Sequence, residues 1–252
     1  MQKNKPAPKV FIYGKHALAE ALQHAPEAVK KVYLAGSVDD MPLLKLIRDR
    51  NVPVAPLKDG ALREVESGGS HQGVVAEVST EGLVIPYDKF RESLKANPDT
   101  LLVILDELND PHNVGAIIRS AAAFGAAAVL MPEHNQAPVS GAVVKVSAGM
   151  AFRVPLVRIG NVNNTLRDLK DRGFWIYGLA GEGKQALTKE EFTAPTVLIV
   201  GNEAEGIRHR TRELCDILLS IPISPRAESL NAAAAASVAL FAWSAKHPRA
   251  LS

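Results

Sequence analysis

The chain has 252 residues, 47% of them hydrophobic, which suits one large or two modest globular domains. A formal net charge of +2 does not by itself announce a nucleic-acid partner, and the one cysteine, Cys215, excludes an intramolecular disulfide and a multi-cysteine metal site. The opening MQKNKPAPKV has no apolar core run and no later stretch supplies about 18 uninterrupted apolar residues, so a soluble cytoplasmic protein without a membrane partner is expected.

Residues 1–9 carry Lys3, Lys5 and Lys9 among prolines and read as a flexible tail. VFIYGKHALAEAL then predicts strand, turn and helix, with Ala17, Leu18, Ala21 and Leu22 at helical spacing. VKKVYLAG predicts a second strand, MPLLKLIRDR an amphipathic helix, and NVPVAPL a third strand. Gly68-Gly69 marks a loop before HQGVVAEVS. This alternation outlines a small α/β domain over residues 1–80. Residues 81–98, with the helical YDKFRESLKA ending at Pro98, read as a linker.

From residue 99 to 252 a second alternation begins: strand TLLVILDEL, helix IIRSAAAFG, strand AAVLMP, helix NVNNTLRDLKDRG and strand FWIYGLA. The expected fold class is α/β, a small domain followed by a parallel-sheet domain. Asp110-Pro111 marks a turn, and Asn113 is placed to cap the helix that carries Arg119. Arg119 stands out on an otherwise apolar helix. It serves either as a structural salt-bridge partner or as a bidentate holder of phosphate.

Residues 196–240 bring two apolar strands, each followed by a turn with placed polar groups, and such strand ends are where open parallel sheets bind ligands. In GNEAEG the glycines permit close approach, while Glu203 or Glu205 can accept hydrogen bonds or face a helix dipole. Arg208, His209, Arg210 and Arg212 form a basic cluster on the polar helix expected next, suited to phosphate or to solvent. Ser229 and Asn231 precede an alanine-rich helix, where capping is the default role. GLAGEGKQ approaches a P-loop with Gly178, Gly183 and Lys184, but Gln185 stands where Ser or Thr would bind magnesium and no long helix follows. The histidine spacing gives no zinc or triad signature, and no GxSxG occurs.

NDPHNVGAIIRSAAAFG, LIVGNEAEGI and IPISPRAESLNAAAAASVAL, in this order and context, resemble the SPOUT superfamily of RNA methyltransferases, specifically the TrmH-type ribose 2′-O-methyltransferases. YGKHALAEAL and HQGVVAEV resemble the amino-terminal substrate-binding domain of its RlmB-like branch, so the resemblance spans essentially the whole chain. It implies a carboxyl-terminal trefoil knot, an exception to the usual absence of knots, and a homodimer. It also implies S-adenosylmethionine bound by the loops at residues 201–206, 221–224 and 229–231, with Gly201, Asn202, Gly206, Ile221, Ile223 and Leu230 as cofactor-binding residues. By the same match Arg119, Asn113, Glu203, Ser229 and Asn231 carry the catalytic centre, Glu203 rather than Glu205 aligns with the family acid, and no metal is needed. The implied acceptor is a guanosine ribose of large-subunit (23S) ribosomal RNA. Transfer RNA is the alternative substrate, and a non-catalytic RNA-binding or ribosome-assembly role is the alternative class.

Overall fold

The computed structural model describes residues 9–57, 72–79 and 83–251. The tail with Lys3 and Lys5, the Gly68-Gly69 loop, His71 and the first residues of the expected linker lie outside the described residues. By contact the chain forms two compact units, Met1–Val84 with Val139–Arg153, and Ile85–Pro138 with Val154–Ser252. The strands in chain order are β1 (Lys9–Tyr13), β2 (Val29–Leu34), β3 (Val54–Pro56), β4 (Val74–Ser79), β5 (Val84–Pro86), β6 (Leu101–Asp106), β7 (Ala128–Pro132), β8 (Leu156–Ile159), β9 (Trp175–Leu179), β10 (Gln185–Ala186), β11 (Thr196–Gly201) and β12 (Ile217–Ser220). The α-helices are α1 (Lys15–His24), α2 (Met41–Asp49), α3 (Tyr87–Ser93), α4 (Pro111–Ala123), α5 (Gly141–Val146), α6 (Val162–Asp171), α7 (His209–Arg212) and α8 (Ala232–Lys246).

The first unit is a four-stranded sheet in the order β1-β4-β2-β3, with β4 antiparallel to both neighbours and β3 parallel to β2. α1 buries Ala17, Leu18, Ala21 and Leu22, the residues that recur at helical spacing in the sequence. α2 is capped by Asp40, whose carboxylate accepts from Leu43 N at 3.1 Å. Residues 139–153, although they lie within 99–252, group with this unit. α5 packs on β1, where a side chain at Gly141 would strike the carbonyl of Phe11. Arg153 forks onto Glu20, a carboxylate 5% exposed, and holds it below the usual carboxylate range.

The second unit holds an eight-stranded sheet in the order β10-β12-β9-β11-β6-β7-β8-β5, parallel at each pairing from β10 through β8. β6 is buried along its whole length and β11 nearly so, which is why LLVILD and TVLIV read as continuous apolar runs rather than as alternations. Leu102, Ile104, Val197 and Ile199 from these strands join Leu166 and Leu169 of α6 in the core. The stretch expected as a linker forms β5 and α3. Tyr87 Oη donates to Asp168 of α6 at 2.6 Å. Burial alone raises the Asp168 carboxyl, but the hydrogen bonds from Tyr87 and Arg172 outweigh it and keep the group ionised below the usual range.

Two expectations about helix starts are corrected. α4 begins at Pro111, ahead of IIRSAAAFG, and its cap is Asp110, whose side chain accepts from His112 N at 2.8 Å. Asn113 lies inside the first turn and does not cap; proline at the first helical position makes the preceding Asp110 the capping residue. The polar helix expected after GNEAEG is one turn, α7. α8 is as expected, capped by Asn231, which accepts from Ala233 N and Ala234 N. Its small residues bring it close to α4, where Ser120 Oγ and Ser237 Oγ are 2.8 Å apart.

Candidate functional site

The site lies in the second unit, at the ends of β6, β9, β11 and β12. Leaving β11, the chain turns back on itself through residues 201–206. Asn202 and Gly206 exchange backbone hydrogen bonds of 2.9 Å in both directions, and Asn202 Oδ1 accepts from Ala204 N at 2.9 Å. A Cβ at Gly201 would fall on the Gly206 carbonyl carbon and on Ile207 N, so the turn requires glycine there. Glu203, expected to face either a ligand or a helix dipole, receives Nδ2–H of Asn113 at 2.9 Å. Asn113 Oδ1 in turn accepts from Nδ2 of Asn231 at 2.9 Å. Both ends of the Asn113 amide are thus engaged, which sets its orientation. Asn113 is buried, and its partners lie 90 and 118 residues further along the chain.

A cavity of about 360 Å³ opens against this chain of side chains, lined by residues 179–182, 200–207, 219–223 in part and 228–230. Gly201, Asn202, Glu203, Gly206, Ile221, Ile223, Ser229 and Leu230 all line it. Asn113 and Asn231 meet it through Glu203. Ile223 and Leu230, each 39% exposed, give the lining apolar surface that a ligand could cover. At Gly181 and Gly206 no atom lies within 4 Å of where a Cβ would be, so the backbone there is open to a ligand. The lining carboxylates Glu182, Glu203, Glu205 and Glu228 face one lining guanidinium, Arg212, a balance that favours a cationic ligand. The residues present therefore fit S-adenosylmethionine, with its apolar purine, hydroxyls and sulfonium charge.

Arg119 is outside the cavity lining. It is exposed on α4 and makes no ion pair among the described residues, so the salt-bridge alternative has no partner. The basic cluster divides. Arg208 is taken up by Asp106 and Glu107 and Arg212 pairs with Glu182, while Arg210 and His209 remain exposed. The P-loop-like segment ends in β10 and a 3-10 turn instead of a helix, and its residues 179–182 form one wall of the cavity. Asp106, Glu107 and Glu182 carry no such mark in the sequence, and Arg208 stands out there only by its charge. The available signal was Asp106 itself, an acid closing an otherwise apolar strand. Burial pushes the Cys215 thiol up to about 12, which leaves it protonated near neutral pH. Among the described residues no three His, Cys, Asp or Glu side chains come together as a metal-ligand set.

Residues 100–241 match the model of the SpoU rRNA Methylase family, and residues 11–82 match that for RNA 2'-O ribose methyltransferase substrate binding. The 23S rRNA (guanosine-2'-O-)-methyltransferase RlmB of Pseudomonas putida is 39% identical over 237 residues, covering 91% of this chain and 94% of that protein. The protein of the same name from Vibrio vulnificus is 38% identical, covering 92% and 94%. Among solved structures, the SpoU methyltransferase AviRb from Streptomyces viridochromogenes in complex with the cofactor AdoMet superposes with a TM-score of 0.81 at 29% identity, covering 95% of this chain and 91% of that one.

Proposed function

The chain belongs to the SpoU rRNA methylase family, and we propose that it transfers a methyl group from S-adenosylmethionine to the ribose 2′-hydroxyl of a guanosine in 23S ribosomal RNA. The observation that carries this reading is the hydrogen-bonded series Glu203, Asn113, Asn231 at the wall of the cavity. It coincides with the names of the P. putida and V. vulnificus relatives and with the AdoMet complex of AviRb.

When bound, S-adenosylmethionine supplies an electrophilic methyl group on a positively charged sulfur. Backbone groups of Gly201, Asn202 and Gly206 would hold one side of it, and Ile221, Ile223 and Leu230, which line the cavity, would cover its apolar parts. Glu203, oriented by Asn113, presents its remaining carboxylate lone pairs to the cavity. Asn231 locks Asn113 from the other side, and Ser229 adds a hydroxyl on the same wall. A neutral ribose hydroxyl is a poor nucleophile and must lose its proton during in-line attack. A guanidinium offers hydrogen-bond donors and no acceptor, so Arg119 does not take the proton itself. Its role is to hold the target phosphate and polarise the hydroxyl, with the proton leaving through phosphate or solvent.

The remaining parts of the reading follow the family. Residues 1–80 bind RNA, and the parallel-sheet unit, residues 85–138 and 154–252, catalyses, with the carboxyl-terminal segment threaded as a trefoil knot. The protein acts as a homodimer in the cytoplasm. Support for the dimer is the face of α8 that carries Val238 and Phe241, 42% and 60% exposed. Among the described residues no helix is long and apolar enough to cross a membrane. Mapping 2′-O-methylation across total RNA with and without this protein tests the proposal. Loss at one 23S guanosine is expected; loss confined to transfer RNA would move the substrate, and an unchanged map would overturn the reading.

A further inference from the structure

We propose that Asp106 is a positioning residue for cofactor binding, holding the turn at residues 201–206 in its ligand-binding shape through Arg208 and with the help of Glu107. This rests on the S-adenosylmethionine reading above. β6 ends on Asp106, which is fully buried. Its Oδ1 accepts from Arg208 Nε at 2.9 Å and Nη2 at 2.6 Å, and its Oδ2 accepts from the Arg208 backbone N at 3.1 Å. The third arm of the guanidinium, Nη1, reaches Glu107 Oε1 at 2.6 Å. On the other side of the turn, Asn202 Nδ2 donates to the Glu107 carbonyl at 2.8 Å.

The consequence is geometric. Asn202 opens the turn and Arg208 follows its close, so both legs stand on one dipeptide, Asp106-Glu107. That dipeptide is itself held in an uncommon shape, since Glu107 has φ 64, a left-handed conformation that residues other than glycine seldom adopt. A buried carboxylate demands its donors, and a planar guanidinium meets them with a fork that an ammonium cannot copy. Residues 201–207, which line the cavity, are thereby fixed relative to β6. None of the three clamp residues lines the cavity, which makes their effect on a ligand indirect.

The test is calorimetric titration of S-adenosylmethionine into the full chain and its Asp106→Asn, Arg208→Lys and Glu107→Gly variants. Thermal unfolding and steady-state kinetics on transcribed 23S RNA accompany it. Glu107→Gly retains the carbonyl that receives Asn202 and relieves the left-handed backbone, so it folds even if Asp106→Asn does not. The expected result is a rise of about tenfold or more in Kd and KM for S-adenosylmethionine with Asp106→Asn and Arg208→Lys, the size of a lost charge-assisted hydrogen bond. The rise is smaller with Glu107→Gly. In all three, kcat at saturating cofactor falls far less and KM for RNA stays put. A merely structural role would lower kcat with the folded fraction and leave the cofactor KM alone. A folded Arg208→Lys protein that binds S-adenosylmethionine as tightly as the wild type overturns the positioning role. A wild type that binds none overturns the functional reading instead.

Discussion

Two glycine-bearing turns leave adjacent parallel strands of one sheet: GLAGEG at the end of β9 and GNEAEG at the end of β11. Both line the same cavity, yet their glycines answer different demands. Gly201 is there because its own turn folds back onto Gly206 and Ile207. Gly183 is there because a neighbouring strand passes, with Leu218 O only 2.6 Å from where its Cβ would be. The first turn is pinned at both ends to Asp106-Glu107, whereas the second is closed by the local Gly183 N to Ala180 O bond of 3.0 Å and by the Glu182–Arg212 pair. Similar glycine spacing therefore arises once from a turn that folds back on itself and once from a neighbouring strand that passes close by, and only the atoms around each separate them.

Substitutions sharpen the contrast, beginning with the largest effect. Gly201→Ala places a methyl on backbone atoms that have nowhere to go, so about 3 kcal/mol or more of stability should be lost together with S-adenosylmethionine binding. Chemical denaturation and calorimetry measure both; a stable variant with unchanged cofactor affinity would show that the turn tolerates opening. Gly183→Ala meets the β12 backbone at 2.6 Å, a shallower overlap than the 2.3 Å at Gly201, so it should cost about 1–3 kcal/mol and weaken the cofactor less than Gly201→Ala does. Its partner Gly181→Ala meets no atom within 4 Å, so stability should change by no more than about 0.5 kcal/mol. Any change in cofactor Kd at Gly181 then reports a ligand lying against that wall.

The smallest effect concerns charge. The backbone N–H of Glu182, and after it the Arg212 guanidinium, hold the Glu182 carboxyl below its ordinary range. A depressed carboxylate pKa adds stability that is present above its unfolded value of about 4.3 and lost as pH falls through the lower folded value. Because Glu182 is 58% exposed, solvent screens most of this. Arg212→Gln should move the Glu182 carboxyl back toward the usual range, visible in an NMR titration of its side-chain carbon, with little change in melting temperature near neutral pH. An unmoved titration would show that the pair contributes nothing in solution.

Local patterns account for much of this architecture. Ala17, Leu18, Ala21 and Leu22 announce α1 because a helix buries residues at that spacing, and LLVILD announces a strand buried on both faces. Asp110 and Asn113 both have capping side chains, and proline at 111 decides for Asp110. Residues 139–153 give no local sign that they pack on β1, since α5 is short and its partner ends 128 residues before it begins.

The amino-acid sequence by itself determined most of the strands and helices in order, though not β5, β8, β10 or α5, together with the alternation of the second domain and the three motifs that place the chain in its family. Periodicity and turn chemistry are properties of neighbouring residues, and a motif survives in the text. Tertiary structure alone decided which polar groups meet: Asn113 with Glu203 and Asn231, and Asp106 with Arg208, 102 positions away. A hydrogen bond depends on distance and angle between atoms, and no local pattern carries those across the sheet. The same limit held for the two glycine turns, whose difference lies entirely in what a single added carbon would touch.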